Sequence, residues 1–145
     1  MRFIPTGVHG VMDYLMGVIL IGAPYVFGFG TDPATGLTAN NAATWVPVAL
    51  GFGVIIYSLL TNYELGLVRK IPMGAHLWLD GLGGALLAVS PWLFGFASLV
   101  WLPHVILGLI EIGAALFTHT VPFRDRAGGR EPVTAGGPRR GGDGL

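Results

Sequence analysis

The chain has 145 residues, length for one domain; 52% of them are hydrophobic and only 11% charged, well below the roughly 25% charged content of an ordinary globular domain. A formal net charge of zero excludes an overall electrostatic pull on nucleic acid. Cysteine is absent, which rules out disulfides, thiolate metal sites and cysteine nucleophiles and leaves His, Asp and Glu to carry any chemistry.

In chain order, four apolar stretches approach or exceed the roughly 18 to 20 residues that cross a hydrocarbon core as helix. They cover about residues 8–29, 43–60, 75–96 and 99–117. Four in succession leave too little polar surface for a soluble fold. The pattern therefore predicts an all-α integral membrane protein with four transmembrane helices in a small bundle. The first stretch is longer than a signal-peptide core, lacks an A-x-A site and recurs later, so it is expected to be retained.

Basic residues set the expected orientation. Arg2 precedes the first span, Arg69 and Lys70 lie between the second and third, and Arg124, Arg126, Arg130, Arg139 and Arg140 follow the fourth. The other two connections carry none, so both termini are expected in the cytoplasm. Tyr25, Trp45, Trp92 and Trp101 are expected to mark the outer membrane boundary, and Tyr63 and Trp78 the inner one. Residues 30–42 read as a polar, turn-rich outer loop too small for a binding domain.

A shift of 67 positions aligns Arg2 to Gly30 with Arg69 to Ala97 without a gap, and 13 of 29 positions are identical. The shared frame is R-x-I-P-x-G-x-H-x3-D-x-L-x-G-x2-L-x3-P-x2-F-G-F. A weaker match links Trp45-Val46-Pro47 to Trp101-Leu102-Pro103. The unit is thus a two-helix hairpin written twice: residues 1–62, then 63–119, then a tail at 120–145. An even number of spans per unit makes the repeat parallel, about an axis along the membrane normal. The tail, rich in Gly, Pro and Arg, is expected to be disordered and cytoplasmic.

Ser90-Pro91-Trp92, with Ala23-Pro24-Tyr25 as its degenerate twin, resembles the signature of the SPW-repeat family of small bacterial membrane proteins. The resemblance covers about residues 4–117 and implies a multi-pass membrane protein, without implying an activity. Pro24, Tyr25, Ser90, Pro91 and Trp92 are expected to form helix-ending interfacial anchors, with glycine of each F-G-F as a possible terminator.

His9, Asp13 and Gly17 recur as His76, Asp80 and Gly84. The four-residue spacing puts each trio on one helix face, with glycine allowing close helix approach. A carboxylate inside a bilayer costs roughly 2.5 to 3.5 kcal/mol, so each Asp should be paired, hydrogen-bonded or protonated. Pairing across the repeats is as plausible as pairing within each helix. Two imidazoles and two carboxylates make a polar clamp between hairpins; equally they suit Zn²⁺, Mn²⁺ or Fe²⁺, or a proton relay. Glu111 has no counterpart in the first unit, where Val54 or Ile55 stands; it is expected to be a protonated acid hydrogen-bonded to a neighbouring helix. His104, two turns away on the same helix, is not expected to touch it.

The functional expectation is a structural or interaction membrane protein without catalysis or cofactor, partnered by the bilayer and by a homo-oligomer or another membrane protein, and not by nucleic acid. The alternative is ion, proton or metal handling through His9, Asp13, His76, Asp80 and Glu111. An accessory role in a membrane redox enzyme has no cofactor motif behind it.

Overall fold

Pro5 and Pro72 lack a backbone donor, and each stands as the residue immediately before a helix. A missing N–H costs nothing there, because the first amides of a helix have no intrahelical acceptor. In the computed structural model, which describes residues 1–29, 31 and 42–122, four helices follow in order. These are α1 (Thr6–Val26), α2 (Ala42–Leu60), α3 (Met73–Leu93) and α4 (Leu102–Phe117). The described residues contain no strand beyond isolated bridges. The expected disorder of the tail and the turn-rich character of the outer loop fall mainly on residues outside the described ones.

Both first helices end through one device. Pro24 and Pro91 sit in the last turns, and Gly28 and Gly95 adopt φ of 64° and 73°, a region in which glycine has no Cβ to clash. The reversal lets Phe29 N–H reach the Pro24 carbonyl at 2.8 Å and Phe96 N–H the Pro91 carbonyl at 2.8 Å. The helices stop three residues short of the expected boundaries at 29 and 96, because those residues form the cap. Likewise α4 starts at Leu102 and not near residue 99, since the preceding residues are consumed in turns.

By length and composition, two helices qualify to cross a membrane, α1 and α2. Of the four expected spans only these two qualify; α4 is apolar but only 16 residues long, and polar residues such as His76 and Asp80 lower the hydropathy of α3.

Each hairpin packs backbone to backbone through its glycines. A Cβ on Gly51 would lie 2.7 Å from the Gly17 carbonyl oxygen, and one on Gly84 would lie 2.7 Å from that of Gly108. The expected close approach at Gly17 and Gly84 is therefore made to the second helix of the same hairpin. Residues Met16, Leu20, Val46 and Leu87 form an apolar core between the hairpins.

At one end the two units close on each other symmetrically. Ile4 bridges Thr118, and Ile71 bridges Thr61. Ile4 N–H donates to Phe117 O at 3.0 Å while Ile71 N–H donates to Leu60 O at 2.9 Å. The end of α2 thus meets the start of α3 as the end of α4 meets the start of α1. The described basic residues Arg2, Arg69 and Lys70 all belong to this end.

Candidate functional site

His9 and Asp13 on α1, His76 and Asp80 on α3, converge just inside that closed end. Their exposures are 0% and 1% for the first pair and the same for the second. The pairs that cross between helices are the shorter: His9 Nε2 to Asp80 Oδ2 and His76 Nε2 to Asp13 Oδ2 are both 3.0 Å. The pairs within each helix, His9 to Asp13 and His76 to Asp80, are both 3.3 Å. Pairing across and within helices thus occurs together, and one ligand atom from each residue lies within 4.8 Å of all the others.

The outer nitrogens of the two imidazoles are fixed by threonines that the sequence reading did not single out. Thr61 Oγ1 lies 2.8 Å from His76 Nδ1, and Thr118 Oγ1 lies 3.0 Å from His9 Nδ1. A hydroxyl has one proton to give, and each threonine gives it to its own helix, Thr61 to Tyr57 O at 2.7 Å and Thr118 to Ala114 O at 2.6 Å. Each threonine oxygen must then accept from the imidazole, so both Nδ1 atoms carry hydrogen. In the neutral ring Nε2 is consequently a bare lone pair, and both such lone pairs point at carboxylate oxygens. That arrangement is held together only by something positive between them: a proton at each Nε2 or a cation among all four.

The carboxylates are supported as well. Tyr57 OH donates to Asp80 Oδ1 at 2.6 Å. Asp13 Oδ2 accepts from Tyr63 at 3.3 Å and from Ser58 at 3.4 Å. Tyr63, expected at the inner membrane boundary, is instead 0% exposed: the connection after α2 folds its ring under α1, where it meets Gly10 and the imidazole of His76, 5.4 Å between centroids. Burial pushes its phenol up from the ordinary tyrosine range.

Glu111 is 4% exposed and its Oε1 has no hydrogen-bond partner among the described residues, so the expected bond from that oxygen to a neighbouring helix is not formed. His104 makes no contact with it; the ring lies between Phe29 and Phe96, 5.4 and 5.0 Å away, and its Nε2 donates to Ala43 O at 3.2 Å. The helix-end unit therefore divides. Tyr25 and Trp92 are exposed, while Pro24, Ser90 and Pro91 are buried and the second Phe of each F-G-F packs on His104.

A family model described as the SPW repeat domain matches residues 7–118, which takes in all four helices and every residue of the quartet. No curated protein and no solved structure matches the chain.

Proposed function

The chain belongs to the SPW repeat family, and from that premise we propose that it is a four-span integral membrane protein whose two hairpins close around a divalent-cation site. The ligands are His9 and His76 through Nε2, and Asp13 and Asp80 through one carboxylate oxygen each. The proposal gives the protein a binding role and no catalytic step.

The membrane reading is supported by an inverted surface. Val8, Val11, Leu15 and Val18 on α1, Phe52 and Ile56 on α2, Leu82, Leu86 and Val89 on α3, and Ile106, Leu109 and Leu116 on α4 are exposed. Buried His, Asp, Glu, Ser and Thr side chains share the interior with the apolar core. A continuous apolar exterior on this scale marks a surface that meets lipid. It covers α3 and α4 as fully as α1 and α2. The basic residues at the closed end support a cytoplasmic placement of that end.

The observation that carries the cation site is the pair of bare Nε2 atoms facing two carboxylates. Tetrahedral ligands on zinc bonds of 2.0–2.1 Å stand about 3.3 Å apart; Asp80 Oδ2 lies 3.0 and 3.3 Å from the two Nε2 atoms, while Asp13 meets His76 through Oδ2 at 3.0 Å and His9 through Oδ1 at 3.3 Å. Zinc ligands also carry a second layer that fixes the imidazole through its other N–H and hydrogen-bonds the carboxylates. Thr61, Thr118, Tyr57, Tyr63 and Ser58 occupy those roles. Two neutral imidazoles and two carboxylates balance a divalent charge, so the buried site is neutral when loaded. With two protons in place of the metal it is neutral too.

That second state supports another reading, a metal-free clamp of two ion pairs between hairpins, favoured by the shorter cross-helix distances. Metal analysis of purified protein decides between them, beside an Asp13→Asn, Asp80→Asn double variant. The cation site requires near-stoichiometric zinc or a related ion in the parent and little in the variant. Unchanged metal content with lost stability would sink it and leave the clamp.

A further inference from the structure

Glu111 is the acid left outside the quartet. Its counterpart in the first hairpin, fifty-seven residues earlier as Thr61 is to Thr118, is the buried apolar Val54, so packing alone does not call for a carboxyl there. Two cavities of about 10 Å³ each adjoin its side chain. One is also bordered by Tyr57 of α2 and Asp80 of α3, the other by Asp13 of α1. A cavity of roughly this volume holds a single water, provided two or more polar groups receive it. The first offers Glu111, Asp80 and Tyr57; the second offers Glu111 and Asp13. Beyond Glu111 the interior turns apolar, because Leu107 packs on the core of Met16, Leu20, Val46 and Leu87. That apolar core separates Glu111 from the buried His104 at the other end.

We infer that Glu111 is the third acid of this centre, joined to Asp80 by one bridging water and to Asp13 by another, and that the bridges hold both carboxylates in their cation-binding orientation. Both carboxyl oxygens of Glu111 find partners in this arrangement. As a neutral acid Glu111 has one O–H to give and one carbonyl oxygen to receive. The first water accepts the O–H and donates to an aspartate; the second donates to the carbonyl and to the other aspartate. Oε1 then has its partner, and each aspartate gains a donor. Glu111 is a positioning residue, acting on the ion through Asp13 and Asp80.

The inference rests on the cation reading, and the full chain tests the two separately. Co²⁺ is titrated by its visible absorption into the parent, Glu111→Gln and Glu111→Val, with thermal melting confirming that each is folded. Gln both donates and accepts, so Glu111→Gln should bind within a few-fold of the parent with the same spectrum. Val, the residue of the first hairpin, should bind about 10- to 100-fold more weakly, as for loss of an outer-layer partner, with an altered spectrum. Parent-like affinity and spectrum in Glu111→Val would overturn the inference. Failure of the folded parent to bind Co²⁺ would overturn the cation reading instead. A crystal structure of the metal-free protein then decides the bridges: a water in each cavity between Glu111 and its aspartate upholds them, and dry cavities refute them.

Discussion

Thr118 closes α4 and His9 opens α1, 109 residues apart in sequence, yet the threonine oxygen lies 3.0 Å from the imidazole Nδ1. Thr61 repeats the relationship on His76 at 2.8 Å. Because each hydroxyl proton is spent on its own helix, these contacts decide which nitrogen faces the carboxylates. The tautomer of both histidines is therefore set by helix ends contributed from the neighbouring hairpin segment.

Replacing either threonine with valine keeps the shape and removes the acceptor. Thr61→Val and Thr118→Val should each weaken cobalt or zinc binding about 10- to 100-fold, the usual loss when an outer-layer partner of a metal ligand is deleted. Thr→Ser, which keeps the hydroxyl, should restore most of it. Equal binding by the valine and serine variants in a competition titration would refute the tautomer argument.

The two halves of the quartet should respond unequally to loss of their tyrosines. Tyr57 donates to Asp80 at 2.6 Å, whereas Tyr63 reaches Asp13 at 3.3 Å beside a second donor, Ser58. Tyr57→Phe removes a strong bond to a charged group and should cost about 1.5 to 3 kcal/mol. Tyr63→Phe should cost less, since the Asp13 oxygen keeps His76 and Ser58. Chemical denaturation in detergent compares them, and a larger loss in Tyr63→Phe would contradict the geometry.

The hairpins make a separate, purely steric prediction. An added methyl on Gly51 or Gly84 meets a carbonyl oxygen at 2.7 Å, and backbone cannot step aside as a flexible side chain can. Gly51→Ala and Gly84→Ala should each destabilise by roughly 1 to 3 kcal/mol, the range for overpacking. Gly22→Ala and Gly113→Ala have nothing within 4 Å and should be neutral or slightly stabilising, because Ala is the better helix former by up to ~1 kcal/mol. Melting temperatures of the four single variants check the contrast.

The 67-residue shift made His9, Asp13, His76 and Asp80 legible in the sequence, since both polar pairs recur on one frame with a glycine that marks the packed face. It also located both F-G-F terminators. The threonines escaped because the second helices diverge: their Trp-Pro positions align at a shift of 56 and Thr61 with Thr118 at 57. Extending the repeat at that second shift is the signal that would have found them. Tyr57 and Ser58 align there with Ala114 and Ala115, so no repeat points to them at all. Tyr63 was misassigned because an aromatic beside a span resembles an interface anchor until the path of the following chain is known. The second Phe of F-G-F carried no expectation beyond ending the span, and the left-handed glycine before it turns the ring inward.

The loaded and metal-free states of the quartet have the same net charge but different proton counts, and this gives metal binding a definite pH dependence. With Nδ1 hydrogen held by threonine, the proton on each of the two Nε2 atoms must leave before Nε2 and the carboxylate can both ligate. One divalent ion therefore displaces two protons, and affinity rises with pH by up to about 100-fold per unit while the metal-free site still holds both. Once the metal-free site no longer retains them the dependence flattens. Calorimetry in buffers of different ionisation enthalpy measures the protons released per ion. A value near two supports ligation by all four residues, whereas a value near zero means that the ion binds elsewhere and the quartet keeps its protons as a clamp.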